Sequence, residues 1–323
     1  MSAPDGMPEA DGQVADAYTA NWVDRYAPRP WRPYLRLSRA DRPIGTWLLL
    51  LPCWSGLALA IAADPAGPNW GDAWIALGCA LGAFLMRGAG CTWNDLADQK
   101  IDASVARTQS RPLPAGQVTA RQALAWAIAQ SLLAFAILLT FHPTAIALGV
   151  ASLIPVAIYP FAKRFTWWPQ VFLGIAFNWG ALLAWAAHSG SLSAAPVLLY
   201  LSGIAWTLFY DTIYAHQDIE DDALIGVKST ARLFGAQTEG WLQAFLILSV
   251  VLMAAAVILA LTPTASPLAL VVGLAAAWAF GWHMAWQLRQ LDIGDPEMCK
   301  RLFRSNRDAG LISAGLFALA IFV

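Results

Sequence analysis

Two groups of acidic residues lie where long apolar segments end. The first reads Asn94-Asp95-Leu96-Ala97-Asp98-Gln99-Lys100-Ile101-Asp102 and follows the apolar run Ile75–Cys91. The second reads Asp211-Thr212-Ile213-Tyr214-Ala215-His216-Gln217-Asp218-Ile219-Glu220-Asp221-Asp222 and follows Pro196–Tyr210. Carboxylates are costly at a bilayer boundary, so such concentrations mark a candidate site. On a continuous helix Asn94, Asp98 and Asp102 recur at i, i+4 and i+8, each turning by about 40° into one oxygen-rich stripe. Asp211, Asp218 and Asp222, at i, i+7 and i+11, would stay within about 20° of one line. Like charges stacked this way repel unless cations neutralise them. Magnesium takes octahedral oxygen ligands, keeps some waters and bridges carboxylates to substrate phosphates. A pair of solvated acidic loops is the bland alternative, and it leaves the spacing unexplained.

Basic residues accompany both groups. Arg107 and Arg111 follow the first, Lys163 and Arg164 follow the fourth apolar segment, and Lys228 follows the second group. The preference of cytoplasmic loops for Lys and Arg accounts for most of them. Arg111-Pro112 and Lys228-Ser229-Thr230 lie close enough to the carboxylates to clamp a diphosphate. Arg111, Lys163 and Lys228 therefore join Asp95 and Asp211 as candidate catalytic groups, with Arg42, Arg107 and Arg164 as candidate substrate contacts. Arg87 stands apart, inside an apolar segment and seven residues before Asn94, hence on the same helical face. Snorkelling would explain a guanidinium there, but its direction favours a buried acceptor, and a substrate carboxylate would satisfy it bidentately. Asn178, in the middle of another segment, either lines a cavity or ties two helices together. No Ser-His-Asp arrangement, Gly-rich phosphate loop or H-E-x-x-H occurs. His142 and His188 read as interfacial, and His283 lies in an apolar segment.

The elements that must hold these groups are membrane helices. The chain of 323 residues is 58% hydrophobic and only 13% charged, where a soluble protein carries about a quarter charged residues. Its mean hydropathy is +0.52, and 17 tryptophans suit indoles at headgroup level. Nine spans are expected: Ile44–Ala63, Ala73–Asn94, Gln122–Phe141, Thr144–Phe161, Pro169–His188, Ala195–Ala215, Gly240–Leu261, Pro267–Leu288 and Ala309–Val323, the fourth and last being short for the roughly 20 residues a crossing needs. With the N-terminus in the cytoplasm, none of the 20 Lys and Arg falls in an outer loop and only Arg87 lies within a span. Both acidic groups then share the cytoplasmic face. The four cysteines, Cys53, Cys79, Cys91 and Cys299, have no metal-ligand spacing and read as packing residues. Residues 1–30 are expected to be a disordered polar tail, too acidic for a mitochondrial presequence and without the apolar core of a signal peptide. That leaves 31–323 as one membrane domain with no linker, and a bacterial inner membrane as the simplest home.

At these residues the chain resembles the UbiA superfamily of membrane prenyltransferases, and within it the branch that prenylates 4-hydroxybenzoate for ubiquinone. The stretches that carry the resemblance are Arg32–Leu57, Met86–Gly116 with its N-D-x-x-D-x-x-x-D pattern, Tyr159–Leu183, Tyr210–Gly235 with Y-D-T-x-Y-A, D-x-x-D-D and K-S-T, and Ser305–Ile312. The resemblance implies an all-α bundle of about nine transmembrane helices, with cytoplasmic caps over a central cavity. It implies that Asn94, Asp98 and Asp102 hold one Mg2+ and that Asp218 with Asp222 hold a second, both bridging a polyprenyl diphosphate. Arg87 would receive the carboxylate of 4-hydroxybenzoate. The extra carboxylate in D-I-E-D-D leaves the ligand set open.

The implied reaction is electrophilic alkylation of an aromatic ring. The metal and basic residues stabilise the departing diphosphate, Tyr159 and Tyr214 stabilise the allylic cation, and Asp211 or the released diphosphate removes the ring proton. A naphthoate or a haem is the rival acceptor. A cation transporter is the rival class, but transporters place ionisable sites near the midplane in broken helices. No nucleic-acid partner is expected, and neither prenyl length nor oligomeric state can be read from the sequence.

Overall fold

The computed structural model describes residues 14, 17, 21–105, 108–224 and 226–323, the side chains of 220–222 excepted. Its helices are α1 (Trp22–Tyr26), α2 (Arg32–Leu37), α3 (Ile44–Ala63), α4 (Trp70–Asp102), α5 (Ala120–Leu138), α6 (Pro143–Ala151) and α7 (Leu153–Phe165). They continue as α8 (Pro169–Ser189), α9 (Ala194–Ala215), α10 (Ile219–Leu224), α11 (Thr230–Phe234), α12 (Thr238–Leu261), α13 (Pro267–Gln290) and α14 (Pro296–Ala320). Among the described residues there is no strand, and eight helical stretches are long and apolar enough to cross a membrane. The all-helical, polytopic expectation holds.

Differences from that expectation have local causes. The fourth span is two helices that part at Ser152. Pro155 has no N–H to give the carbonyl of Ala151, so the ladder is interrupted there. The expected ninth span is not one of the eight stretches: α14 starts at Pro296 and carries the charged turns Glu297 to Asp308 before its apolar half. Within the segment expected as a tail, Asn21 caps α1 by accepting from the Asp24 N–H at 3.0 Å, and a 3-10 turn follows at Arg29–Trp31.

The chain divides into two compact units, 1–45 with 85–133, and 46–84 with 134–323. The boundaries fall inside α3, α4 and α5, so no linker separates them. In the first unit Leu37, Leu113, Val118 and Ala123 form a core with Tyr34 and Leu96. Ser38 joins it to α5, donating to Gln130 Oε1 at 3.0 Å and accepting from Trp126 Nε1 at 2.8 Å.

The second unit is a bundle in which α9 packs on α8, α12 and α14, and α13 packs on α12 and α14. Small residues let backbones approach: a Cβ on Gly56 would strike the backbone of Ala181. Several of its buried polar groups pair with one another. Ser202 and Ser249 donate reciprocally to each other's carbonyls at 2.7 and 2.9 Å. Asn306 accepts from Trp206 Nε1 at 2.8 Å and donates to Gln287 Oε1 at 2.9 Å. Many large apolar residues of its long helices are exposed, Ile154, Ile247, Val251, Trp278 and Trp282 among them. Polar groups inside and apolar groups outside is the arrangement lipid requires.

At one end of this unit the turns are bound together. His188 contacts Asp72 at 2.6 Å and Asp64 at 3.2 Å. Thr144 donates to the Gly190 carbonyl, Thr264 to that of Ala63 and Ser266 to that of Val323, each at 2.7 Å. At the other end Lys228 N–H donates to the Lys163 carbonyl at 3.1 Å, and Thr230 N–H to Gln170 Oε1 at 3.3 Å.

Candidate functional site

The first acidic group stands on one unbroken helix. α4 runs 33 residues from Trp70 to Asp102, so Arg87, Asn94, Asp98 and Asp102 share a continuous register and the expected stripe is real. Asn94 is half-buried, and Asp98 and Asp102 are buried. Asp102 is held from two sides, by Arg111 Nη1 at 3.0 Å and, through its carbonyl, by Thr108 Oγ1 at 2.7 Å. Asp95 faces inward. It is 0% exposed, ion-paired to Arg39 Nη2 at 2.5 Å and 3.5 Å from Arg111 Nη1. Expected among the catalytic groups, Asp95 is thus surrounded by protein cations.

Arg87 is half-buried beside the first turn of α3, where Gly45 makes room: a Cβ there would collide with the guanidinium. Arg42 lies with Asp41, its Nε 3.5 Å from Asp41 Oδ1. Arg107 lies outside the described residues. Among the described residues no three Asp, Glu, His or Cys side chains converge as a cage for a metal. What the stripe offers is one carboxamide and two carboxylates, hard oxygens that leave positions for water and phosphate, and this donor set fits magnesium rather than a soft metal.

The second acidic group departs from the expected single helix. Asp211 is in the last turns of α9, but a 3-10 turn at His216–Asp218 intervenes before α10. The i, i+7, i+11 line is therefore not kept. The turn is fixed by buried bonds, Thr212 to Thr230 at 2.7 Å and His216 Nε2 to Thr238 at 3.2 Å. Asp211 and Asp218 are half-buried, and the side chain of Asp222 lies outside the described residues. In the same unit Lys228 reaches the Phe165 carbonyl at 3.4 Å, with its ammonium 6.0 Å from the Trp167 ring. Lys163 is half-buried, and Arg164 lies over Phe161 at 5.1 Å.

Of the aromatic groups, Tyr214 packs on Phe303 at 4.4 Å, and Tyr159 is half-buried on α7. Asn178 donates to Thr207 Oγ1 and to the Gly174 carbonyl, both at 2.9 Å, and Thr207 donates to the Tyr210 hydroxyl at 3.1 Å. Asn178 thus ties α8 to α9. It also lines a narrow apolar cavity with Leu51, Leu199, Trp206 and Phe280, so both roles anticipated for it occur together.

The UbiA prenyltransferase family model matches residues 49–308. The chain belongs to the UbiA prenyltransferase family. Among curated members, the mitochondrial 4-hydroxybenzoate polyprenyltransferase of Bos taurus is 49% identical over 289 residues, covering 88% of this chain and 74% of the relative. That of Homo sapiens is 46% identical over 312 residues, covering 96% and 80%. A UbiA homologue from Aeropyrum pernix K1 superposes with TM-score 0.67 at 24% identity, covering 86% of this chain and 96% of its own. One from Archaeoglobus fulgidus, solved with GPP and Mg2+, gives TM-score 0.69 at 19% identity, covering 90% and 100%. At such identity the likeness is one of fold.

Placing this UbiA member in a bacterial inner membrane does not stand, because the curated relatives are named as mitochondrial. Its integral membrane character does stand. Sequence spacing does not single out Arg39 among the 20 Lys and Arg. Nothing in the order of residues announces that it reaches Asp95, 56 positions away.

Proposed function

We propose that this UbiA member is a 4-hydroxybenzoate polyprenyltransferase, joining the prenyl group of a polyprenyl diphosphate to the ring carbon beside the phenol hydroxyl. The observation that carries this reading is the continuity of α4, which sets Arg87 and the Asn94, Asp98 and Asp102 oxygens along one face, with Arg87 about 10 Å before Asn94. A cation for an aromatic carboxylate and oxygens for a metal–diphosphate thus stand in line on a single rigid element. The names of the relatives, at close to half identity over most of the chain, agree with the chemistry.

When bound, Mg2+ at Asn94, Asp98 and Asp102, and at Asp218 and Asp222, supplies Lewis-acid neutralisation of the diphosphate. Arg107, Arg111, Lys163, Arg164 and Lys228 add positive charge for the oxygens as the carbon–oxygen bond breaks and its electron pair leaves with the diphosphate. Tyr159 and Tyr214 offer ring faces to the allylic cation. Arg87 holds the acceptor carboxylate, fixing which ring carbon is offered; Arg42 belongs to the same basic border. The ring carbon forms the new carbon–carbon bond, and its proton passes to Asp211 or to the released diphosphate. The prenyl tail remains in the lipid bilayer, and residues 31–323 act as the catalytic domain.

The test uses membranes containing the chain, radiolabelled 4-hydroxybenzoate and a polyprenyl diphosphate series, with and without magnesium. A lipid-soluble, magnesium-dependent product is expected. No such product at any chain length, or product only with a naphthoate acceptor, overturns the assignment.

A further inference from the structure

Among the described residues, Arg39 is the single non-glycine with a left-handed backbone, at φ 56°. It follows α2, whose closing bonds run from Ala40 N–H to the Leu35 carbonyl at 3.0 Å and from Arg39 N–H to the Arg36 carbonyl at 3.1 Å. These are the six-to-one and five-to-two bonds of a Schellman motif, and Arg39 occupies the position that glycine ordinarily takes because a side chain there is strained. The backbone alone therefore gives no reason for arginine.

The side chain does. Nη1 donates to the Arg36 carbonyl at 3.1 Å, and Nη2 donates to Asp95 Oδ1 at 2.5 Å, the two side chains being 8% and 0% exposed. That same carboxylate oxygen stands 3.5 Å from Arg111 Nη1, which holds Asp102 Oδ2 at 3.0 Å. A line of alternating charge thus runs Arg39, Asp95, Arg111, Asp102, from a strained helix cap to the end of the oxygen stripe. Backbone strain that persists at such a place is a pointer to function.

We propose that Arg39 is a positioning residue for the metal site. With Asp95 it fixes Arg111, and through Arg111 the aim of the Asp102 carboxylate, without itself touching cation or substrate. Asp95, despite its place inside the metal motif, belongs to this supporting line. The inference rests on the reading that Asn94, Asp98 and Asp102 hold the metal. The competing role for Arg39 is as a cap of α2 alone, which glycine would fill at least as well.

The test compares the full chain with Arg39→Gly, Arg39→Lys, Asp95→Asn, the Arg39→Gly/Asp95→Asn double variant and Asp102→Asn. Three quantities are read: the magnesium concentration giving half-maximal thermal stabilisation without substrates, the magnesium midpoint of activity, and KM for 4-hydroxybenzoate at saturating magnesium. Arg39→Gly is expected to raise both magnesium midpoints about tenfold and to leave the acceptor KM alone, while Arg39→Lys falls between it and wild type. Asp95→Asn should match Arg39→Gly, and the double variant should be no worse than either, as coupled partners behave. Unchanged magnesium midpoints in Arg39→Gly, whatever its melting temperature, would overturn the proposal, as would additive effects in the double variant. Failure of the metal reading looks different: wild type shows no magnesium-dependent shift, or Asp102→Asn keeps it. Should Arg39→Gly not accumulate folded, Arg39→Lys and the double variant decide by the same criteria.

Discussion

Arg87 concentrates the question of acceptor choice in one side chain. A guanidinium gripping a carboxylate contributes about 1.5–3 kcal/mol, so Arg87→Ala should raise KM for 4-hydroxybenzoate roughly tenfold to a hundredfold. KM for the prenyl diphosphate should not move; a change in both would show that Arg87 serves the diphosphate. A different residue reports on packing. Burial, then Asp295 and Asp292, pushes the Cys299 thiol up to about 11. The folded state thus favours the protonated thiol, so its contribution to stability is intact below the ordinary thiol range and is lost as pH rises. Wild type should lose thermal stability more steeply than Cys299→Ala between pH 9 and 11; parallel pH profiles would refute this. Arg87 and the stripe were legible because their meaning lies in helical spacing. Arg39 was not, since its partner is 56 residues away and its backbone geometry is set by the chain on both sides.

At the scale of elements, α4 and α3 are coupled by what is missing from Gly45. Its absent Cβ leaves the volume that the Arg87 guanidinium fills. Gly45→Val should therefore displace Arg87 and raise the acceptor KM, with the magnesium midpoint unchanged; an unaltered KM would mean that the guanidinium acts from elsewhere. The helix of the first motif was readable because a period of 3.6 survives from membrane to loop. The second motif was misread as one helix. Its 3-10 turn is imposed by the Thr212–Thr230 and His216–Thr238 bonds, pairings made in three dimensions that a count of residues does not contain. The break at Ser152 was readable in principle from Pro155, whose missing N–H is a sequence fact.

For the molecule as a whole, the segregation of Lys and Arg along the chain assigns an orientation. The laced turns of the second unit give that orientation an experimental consequence. His188 on Asp64 and Asp72, with Thr144, Thr264 and Ser266 on neighbouring carbonyls, tie one set of helix ends to each other, while Lys163, Asp211, Asp218 and Lys228 stand at the opposite ends of their helices. Traffic in water-soluble reactants is then one-sided. In sealed proteoliposomes, 4-hydroxybenzoate added outside for a time shorter than its leak across the bilayer should reach only molecules inserted with the charged ends outward. The activity that appears when the vesicles are permeabilised should equal the fraction of chains whose residues at those ends are shielded from an external protease. Equal activity before and after permeabilisation in a mixed-orientation preparation would mean that the laced face admits substrate too.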